Sequence, residues 1–240
     1  MTIRIAVLSG KGGVGKSSIA SVIAKILSER NKVLLLDMDL CGPSIGHIFN
    51  IHTKLLKAER GLVPAKVTDS LDIISMSLLI KNTDAVIWRA PKKLSVLQLF
   101  YESNNHDFVV YDTPPGISEE HFYLIDKIDY IFVVTTSQNV ALSDSIKSLE
   151  FARKYNLKVL GVIENMSGLE CQMCNNVTNI FSIRGGEELS KECSVPFLGR
   201  IPYDRKLLEI TNDSSFIEKC DTTKTYQIFK DIISNDNLFN

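Results

Sequence analysis

The chain has 240 residues, 45% of them hydrophobic, with 27 basic and 28 acidic side chains and a formal net charge of −1. That length suits one domain of ordinary size, and such a chain buries roughly 70–75% of its unfolded surface without disulfide or metal staples. The near-neutral balance excludes the basic field that draws proteins onto nucleic acid or anionic lipid, and the apolar content excludes intrinsic disorder. With no apolar run approaching about 18 residues, a membrane span is excluded as well.

In chain order, Met1-Thr2-Ile3-Arg4 leads straight into Ile5-Ala6-Val7-Leu8. That apolar run is too short for the core of a secretory signal, and the expected compartment is the cytosol. Strands are expected at Ile3–Leu8, Val33–Asp37, Leu71–Met76, Phe108–Asp112, Tyr130–Thr135, Lys158–Ile163 and near Phe197–Ile201. Several are near-continuous apolar segments, as parallel strands buried on both faces require. Between them lie helical periods. Ile19, Val22, Ile23, Ile26 and Leu27 form one stripe; Leu94, Leu97 and Tyr101 repeat it after Pro91, and Leu142, Ile146 and Leu149 repeat it again. The least patterned stretch, residues 45–83, reads as loops and short helices over one face. Near the end, Tyr226, Phe229, Ile232 and Ile233 share a helical face whose flanks are too poor in lysine for a membrane anchor, so it is expected to pack on the domain. Strand–helix alternation without repeat or linker predicts an α/β fold. We expect a doubly wound, mostly parallel sheet flanked by helices, as a single domain over residues 1–240.

The strongest signal is Gly10-Lys11-Gly12-Gly13-Val14-Gly15-Lys16-Ser17, between the first strand and the first helix. It fits G-x-x-x-x-G-K-[ST] in the context that the motif demands. Glycines let backbone N–H groups turn inward around phosphate oxygens, and the helix N-terminus adds its partial positive charge. The nucleotide is expected along Gly10 to Ser18, with Lys16 reaching the β- and γ-phosphates and Ser17 ligating Mg²⁺. Two strand ends carry acids, where ligands bind in open α/β sheets: Asp37-Met38-Asp39 after Val33–Leu36, with Asp39 the candidate, and Asp112. Helix caps or solvated turns are the plainer reading of both.

Five cysteines, Cys41, Cys171, Cys174, Cys193 and Cys220, make an odd count that argues against disulfides. Cys171-Gln172-Met173-Cys174 lies in a polar stretch after the sixth strand, near residues 168–179. It supplies two thiolates where Zn²⁺ or a [4Fe–4S] cluster wants four, a deficit that a two-fold dimer would cure. Cys193 and Cys220 are expected to pack as small apolar groups, and His47, His52, His106 and His121 show no ligand spacing with the cysteines.

Lys11, a second lysine inside the loop, resembles the deviant Walker A ATPases of the nitrogenase-iron-protein, Min and Par type. In that class this lysine crosses a dimer interface to the partner's nucleotide. By the same resemblance Lys11, Lys16 and Asp39 carry hydrolysis, Asp39 orienting the attacking water and Asp112 holding Mg²⁺. Further segments narrow the likeness: Asp39-Leu40-Cys41-Gly42-Pro43-Ser44, Trp88-Arg89-Ala90-Pro91, Asp112-Thr113-Pro114-Pro115-Gly116, Gly161 to Ser167, Gly185 to Leu189 and Val195 to Pro202. Together they resemble the Mrp/ApbC family of iron–sulfur cluster scaffold and carrier ATPases, which includes the cytosolic NUBP/Nbp–Cfd pair, and within it the short Cfd type. The resemblance implies an ATP-hydrolysing scaffold that bridges a [4Fe–4S] cluster through Cys171 and Cys174 and passes it to recipient apoproteins. It works as a homodimer or with a longer paralogue carrying a cysteine-rich N-terminal extension, and needs neither nucleic acid nor membrane. It also implies that Asn165 and the loop around Pro202 contact adenine, and that the stretch Asp112–Glu120 switches on hydrolysis. Gln172 stands where the family has proline, Val177 where a third cysteine is common, and Ala90 where glycine is usual. A Min- or Par-like positioning ATPase, with zinc or no metal at the cysteines, shares the P-loop, Lys11 and both acids.

Overall fold

The structure, a computed structural model, describes residues 2–40, 42–57, 61–79, 90–101, 105–171, 173–174, 176–234 and 238–239. Cys41, Trp88, Arg89 and Gln172 lie outside the described residues. The chain opens with β1 (Ile3–Leu8), α1 (Lys16–Leu27), β2 (Val33–Asp37), α2 (Ile45–Ile48), the short strands β3 (Leu56–Lys57), β4 (Leu62–Val63) and β5 (Ala65–Lys66), and β6 (Leu71–Ile74). It continues through α3 (Ala90–Tyr101), β7 (Phe108–Asp112), α4 (Glu119–Leu124), β8 (Tyr130–Thr135), α5 (Asn139–Lys154) and β9 (Lys158–Glu164). The last part holds β10 (Leu169–Glu170), β11 (Val177–Thr178), α6 (Gly185–Cys193), β12 (Phe197–Arg200), α7 (Arg205–Asn212), α8 (Phe216–Lys219) and α9 (Lys224–Ile233).

Eight strands make one mostly parallel sheet in the order β12-β9-β8-β1-β7-β2-β6-β5, with β5 antiparallel to β6 at the edge. β1 is central, and the strands added later lie on both sides of it, the doubly wound arrangement expected from the alternation of strands and helices. Successive residues of β1 feed opposite faces: Ile5 and Val7 join the apolar layer with α1, α7 and α9, while Ala6 and Leu8 join the layer with α3, α4, α5 and α6. Both layers are buried, so the strands carry apolar side chains on both faces and read as unbroken hydrophobic runs.

Three departures from the predicted elements have local causes. The third expected strand stops at Ile74 because the Ser75 hydroxyl accepts the Ser77 N–H, folding Met76–Leu78 into a 3₁₀ turn. β9 runs one residue further, to Glu164, which pairs in register with Arg200 of β12. Where a polar loop was expected around the cysteines, Leu169 and Glu170 pair with Thr178 and Val177 in a short antiparallel hairpin. Two-residue strands such as β3, β4, β10 and β11 carry no periodicity that a sequence can display.

The C-terminal stripe packs as expected. Thr223 caps α9 by accepting the Tyr226 N–H at 3.2 Å, and Tyr226 and Phe229 are buried in the same layer as the α1 stripe. The Tyr226 hydroxyl donates to Glu29 just beyond α1. Phe229→Ala removes a fully buried ring from this contact and is expected to cost about 3–5 kcal/mol. Urea denaturation of the two proteins checks it; a loss under about 1 kcal/mol would mean that α9 is not part of the core.

Candidate functional site

The sequence places the site by ending β1, β2 and β7 at the same edge of the sheet. Between β1 and α1 the chain turns at Gly13 and Gly15, both with positive φ, and Gly15 is the left-handed residue from which α1 starts. A side chain at Gly15 would be strained in that conformation and would run into the Asn165 amide, so glycine is required there twice over. The resulting loop borders a cavity of about 410 Å³ lined by Lys11, Gly12, Gly13, Gly15, Lys16, Ser17 and Ser18 on one side. Asp39, Gly42, His47 and Pro115 close the other side, and Thr211 and Asn212 at the end of α7 complete it.

Lys16 is buried, and its ammonium is hydrogen-bonded to the Asp112 carboxylate and lies 3.4 Å from the Ser17 hydroxyl. The other carboxylate oxygen of Asp112, Oδ2, is buried without a hydrogen-bond partner. Asp37 and Asp112 are register partners on β2 and β7, so two buried acids stand side by side. Asp37 does not reach the cavity lining; it organises the loop beside it. It accepts the Ser75 hydroxyl at 2.8 Å, the Ile45 N–H at 3.2 Å and the Asp39 N–H at 3.2 Å. Asp39, half-buried, accepts the Gly42 N–H at 2.9 Å and faces the cavity. The Asp112 strand continues into a pinned segment: the Thr113 hydroxyl donates to the Val7 carbonyl, and the Gly116 N–H to the Ser9 carbonyl, each at 2.8 Å.

Lys11 donates to Gln138 of its own chain at 3.2 Å. Asn165 donates from Nδ2 to the Val14 carbonyl at 2.8 Å, tying the end of β9 directly to the phosphate loop. Beside it a smaller cavity of about 100 Å³ is lined by Gly15, Ser18, Asn165, Tyr203, Asp204 and Thr211, among others. Tyr203 and Asp204, rather than Pro202, bring the predicted loop to this cavity. Ser9, His47, Thr211 and Tyr203 were not among the predicted residues. Ser9 stands next to the motif and was within reach of a sequence reading, whereas α7 arrives only through the tertiary fold.

Cys171 is half-buried and Cys174 exposed, both free thiols, at the tip of the β10–β11 hairpin. The Cys171 N–H donates to the Asn176 carbonyl at 2.9 Å. Main-chain N–H groups of Met173 and Cys174, and the Cys174 thiol, hold the Cys171 thiol below its ordinary range, which favours the thiolate that ligates metal. Along the hairpin and the chain that follows it, Leu169, Met173, Val177, Ile180 and Ile183 expose large apolar side chains, Met173, between the two cysteines, at 95%. Among the described residues no group of three or more His, Cys, Asp or Glu is gathered to hold a metal ion. A third cavity, about 590 Å³, borders Cys171 and shares Tyr203 and Asp204 with the small one. Cys193 and Cys220 pack in the core, and burial pushes the Cys220 thiol up to about 12. His106 bonds Asp72 at 2.8 Å, and His121 is buried in the cap of α4.

A profile of the NUBPL iron-transfer P-loop NTPase family, of the ParA type, matches residues 1–236. The cytosolic Fe-S cluster assembly factor NUBP2 homolog of Monosiga brevicollis is 45% identical over 236 residues, covering 93% of this chain and 83% of that protein. The cytosolic Fe-S cluster assembly factor CFD1 of Saccharomyces cerevisiae is 39% identical over 249 residues, covering 95% and 85%. Among solved structures, a nucleotide-binding protein from Archaeoglobus fulgidus in complex with ADP superposes with a TM-score of 0.76 at 28% identity, covering 90% of this chain and 88% of that one.

The buried acids make a pH signature. Burial, reinforced by the Asp112 charge, raises Asp37 from 3.8 to about 8, against the pull of Ser75, the Ile45 N–H and Lys16. Burial raises Asp112 as well, against the pull of Lys16. Between 3.8 and about 8 the folded chain therefore holds a proton on Asp37 that the unfolded chain has lost, and stability falls as pH rises. Burial lowers His121 from 6.5 to about 4, which acts in the opposite sense below 6.5. Asp37 is left unopposed by His121 from pH 6.5 to 8. Urea midpoints of the nucleotide-free protein should fall across that window and flatten in Asp37→Asn. Both are to be measured in a Cys171→Ser background, to remove a thiol of opposite sign. Equal slopes with and without Asp37 would refute the assignment.

Proposed function

This chain belongs to the NUBPL iron-transfer P-loop NTPase family, and from that premise we propose that it is a cytosolic, ATP-hydrolysing scaffold. On this reading it holds a [4Fe–4S] cluster between two chains and passes it to apoproteins. The observation that carries the reading is a distance along the chain. Asn165, bonded to the phosphate loop, is six residues from Cys171 at the tip of an exposed, apolar-rimmed hairpin.

At the phosphate end, the residues present fit nucleotide and Mg²⁺. The loop offers inward N–H groups, and Lys16 neutralises phosphate charge after leaving Asp112. The Ser17 hydroxyl and the unpartnered Oδ2 of Asp112 are the oxygen donors for Mg²⁺, which when bound supplies the positive charge that organises the β- and γ-phosphates. Asp39, held by the Gly42 N–H and facing the cavity, orients the attacking water. Breaking a buried ion pair such as Lys16–Asp112 costs about 3–5 kcal/mol when nothing replaces the partner. Lys16 therefore leaves Asp112 only where phosphate oxygens take over as its partner, and a bound cation would offset the charge left on Asp112.

At the cysteine end, two thiols make half of a four-thiolate set, and a second chain related by a two-fold axis supplies the rest. The exposed apolar residues flanking the hairpin are the kind of surface that a partner covers. That partner is a second copy or a longer paralogue with a cysteine-rich N-terminal extension. In either assembly Lys11 is free to exchange Gln138 for the other chain's nucleotide. Val177, an exposed residue of β11, offers no thiol, so Cys171 and Cys174 carry the cargo alone. Cargo release is an exchange of thiolates between this hairpin and those of the recipient.

Anaerobic reconstitution with iron and sulfide should give a visible charge-transfer band and about four iron per two chains. Cys174→Ser should lose the band while binding nucleotide as before. Stoichiometric zinc, or a band that survives Cys174→Ser, would overturn the scaffold reading. Coupling has its own readout: a non-hydrolysable ATP analogue should change the alkylation rate of Cys171 several-fold, and Asn165→Ala should abolish that response. An alkylation rate blind to nucleotide in the unmutated chain would exclude the route through Asn165.

A further inference from the structure

Ser9 follows the last residue of β1 and is 1% exposed, yet it lines the phosphate cavity with Lys16, Ser17 and Asp39. Its hydroxyl has no hydrogen-bond partner. A buried hydroxyl left unpaired is costly, and native proteins leave few of them without a reason. The nearby Thr113 hydroxyl is spent on the Val7 carbonyl, and that of Ser17 already accepts from Lys16. The Ser9 carbonyl is also spent, on the Gly116 N–H, so its main chain is fixed while its side chain is spare.

Position says which part of a nucleotide Ser9 meets. The α- and β-phosphates belong to the N–H groups of the glycine loop beyond it. Ser9 precedes that loop, and the β1–β7 register, with Val7 opposite Asp112, sets it level with the chain just past Asp112. Asp39, and Pro115 just past Asp112, line the same cavity as Ser9. We propose that Ser9 is a specificity-determining residue whose hydroxyl donates a hydrogen bond to the terminal phosphate of a nucleoside triphosphate, so that the site distinguishes triphosphate from diphosphate. The inference rests on the nucleotide-hydrolysing reading given above. It adds a consequence for the switch: one residue joins the terminal phosphate through its side chain to Gly116 through its carbonyl.

Equilibrium binding of Mg²⁺ with β,γ-imido-ATP and with ADP, to the full chain and to Ser9→Ala and Ser9→Thr, tests it. Ser9→Ala should weaken the triphosphate analogue about tenfold, equivalent to about 1.4 kcal/mol, and leave ADP affinity unchanged. Ser9→Thr, which keeps the hydroxyl, should preserve the preference. Equal losses for both nucleotides, or no loss for either, would overturn the role of Ser9 while leaving the hydrolase reading intact. Failure of the unmutated chain to bind either nucleotide would overturn both.

Discussion

Two carboxylates and one ammonium, all buried, meet at the end of β2 and β7, and the behaviour of the site follows from that imbalance. Adjacent parallel strands in register bring Asp37 and Asp112 together whatever their side chains prefer. Burial makes two full negative charges costly there, and Lys16 compensates only one. The structure answers by giving Asp37 three hydrogen-bond donors and a raised proton affinity, and by giving Lys16 to Asp112. Nothing is left over for Asp112 Oδ2. With Asp37 holding its proton, one carboxylate faces one ammonium, and the unpartnered Asp112 Oδ2 is the oxygen left for a cation that accompanies phosphate.

The same geometry decides what can move. Asp37 anchors the chain from Asp39 to Ile45, and Asp112 leads into a segment fastened to Val7 and Ser9. Both loops therefore hang from the two buried acids of the site. A different line runs along the other side of the phosphate loop. There the Ser167 N–H donates to the Ile201 carbonyl and the Tyr203 N–H to the Gly168 carbonyl, each at 2.8 Å. Asp204, the cap of α7, also accepts from both the N–H and the hydroxyl of Thr225. Met166 and Gly168 within this frame hold positive φ.

How much of this was readable beforehand depended on whether a residue's role is local. The phosphate loop is legible in a few consecutive residues, whereas the strand-end acids and the cysteine pair needed their place on the sheet or a family resemblance to be singled out. Strands buried on both faces announced themselves as unbroken apolar runs, and α1 by its stripe. The roles that depend on distant partners were not legible. Asp37 and Asp39 look alike in sequence, and only the register with β7 makes one an organiser and the other a cavity residue. Thr211 and Tyr203 reach the nucleotide side because α7 packs beside the phosphate loop, a fact of tertiary structure. The hairpin that presents the cysteines is stitched by two residue pairs, below the length at which alternation becomes visible.

The hairpin's exposure is itself a physical argument about assembly. A large apolar side chain such as Met173 standing almost wholly in water gives up roughly 1.5–3 kcal/mol that burial would return, and the hairpin and the chain after it expose four more. Thiolates shielded by such residues are protected from water and oxidant only when the surface is covered. A structural zinc knuckle satisfies its own ligands within one chain and needs no such rim. This tip has two thiols, a lowered thiol proton affinity at one of them and an uncovered apolar border. Each feature is unfavourable or idle in an isolated chain. Ligand count and apolar exposure thus support the same proposal, a labile group held between two chains rather than a permanent one within one.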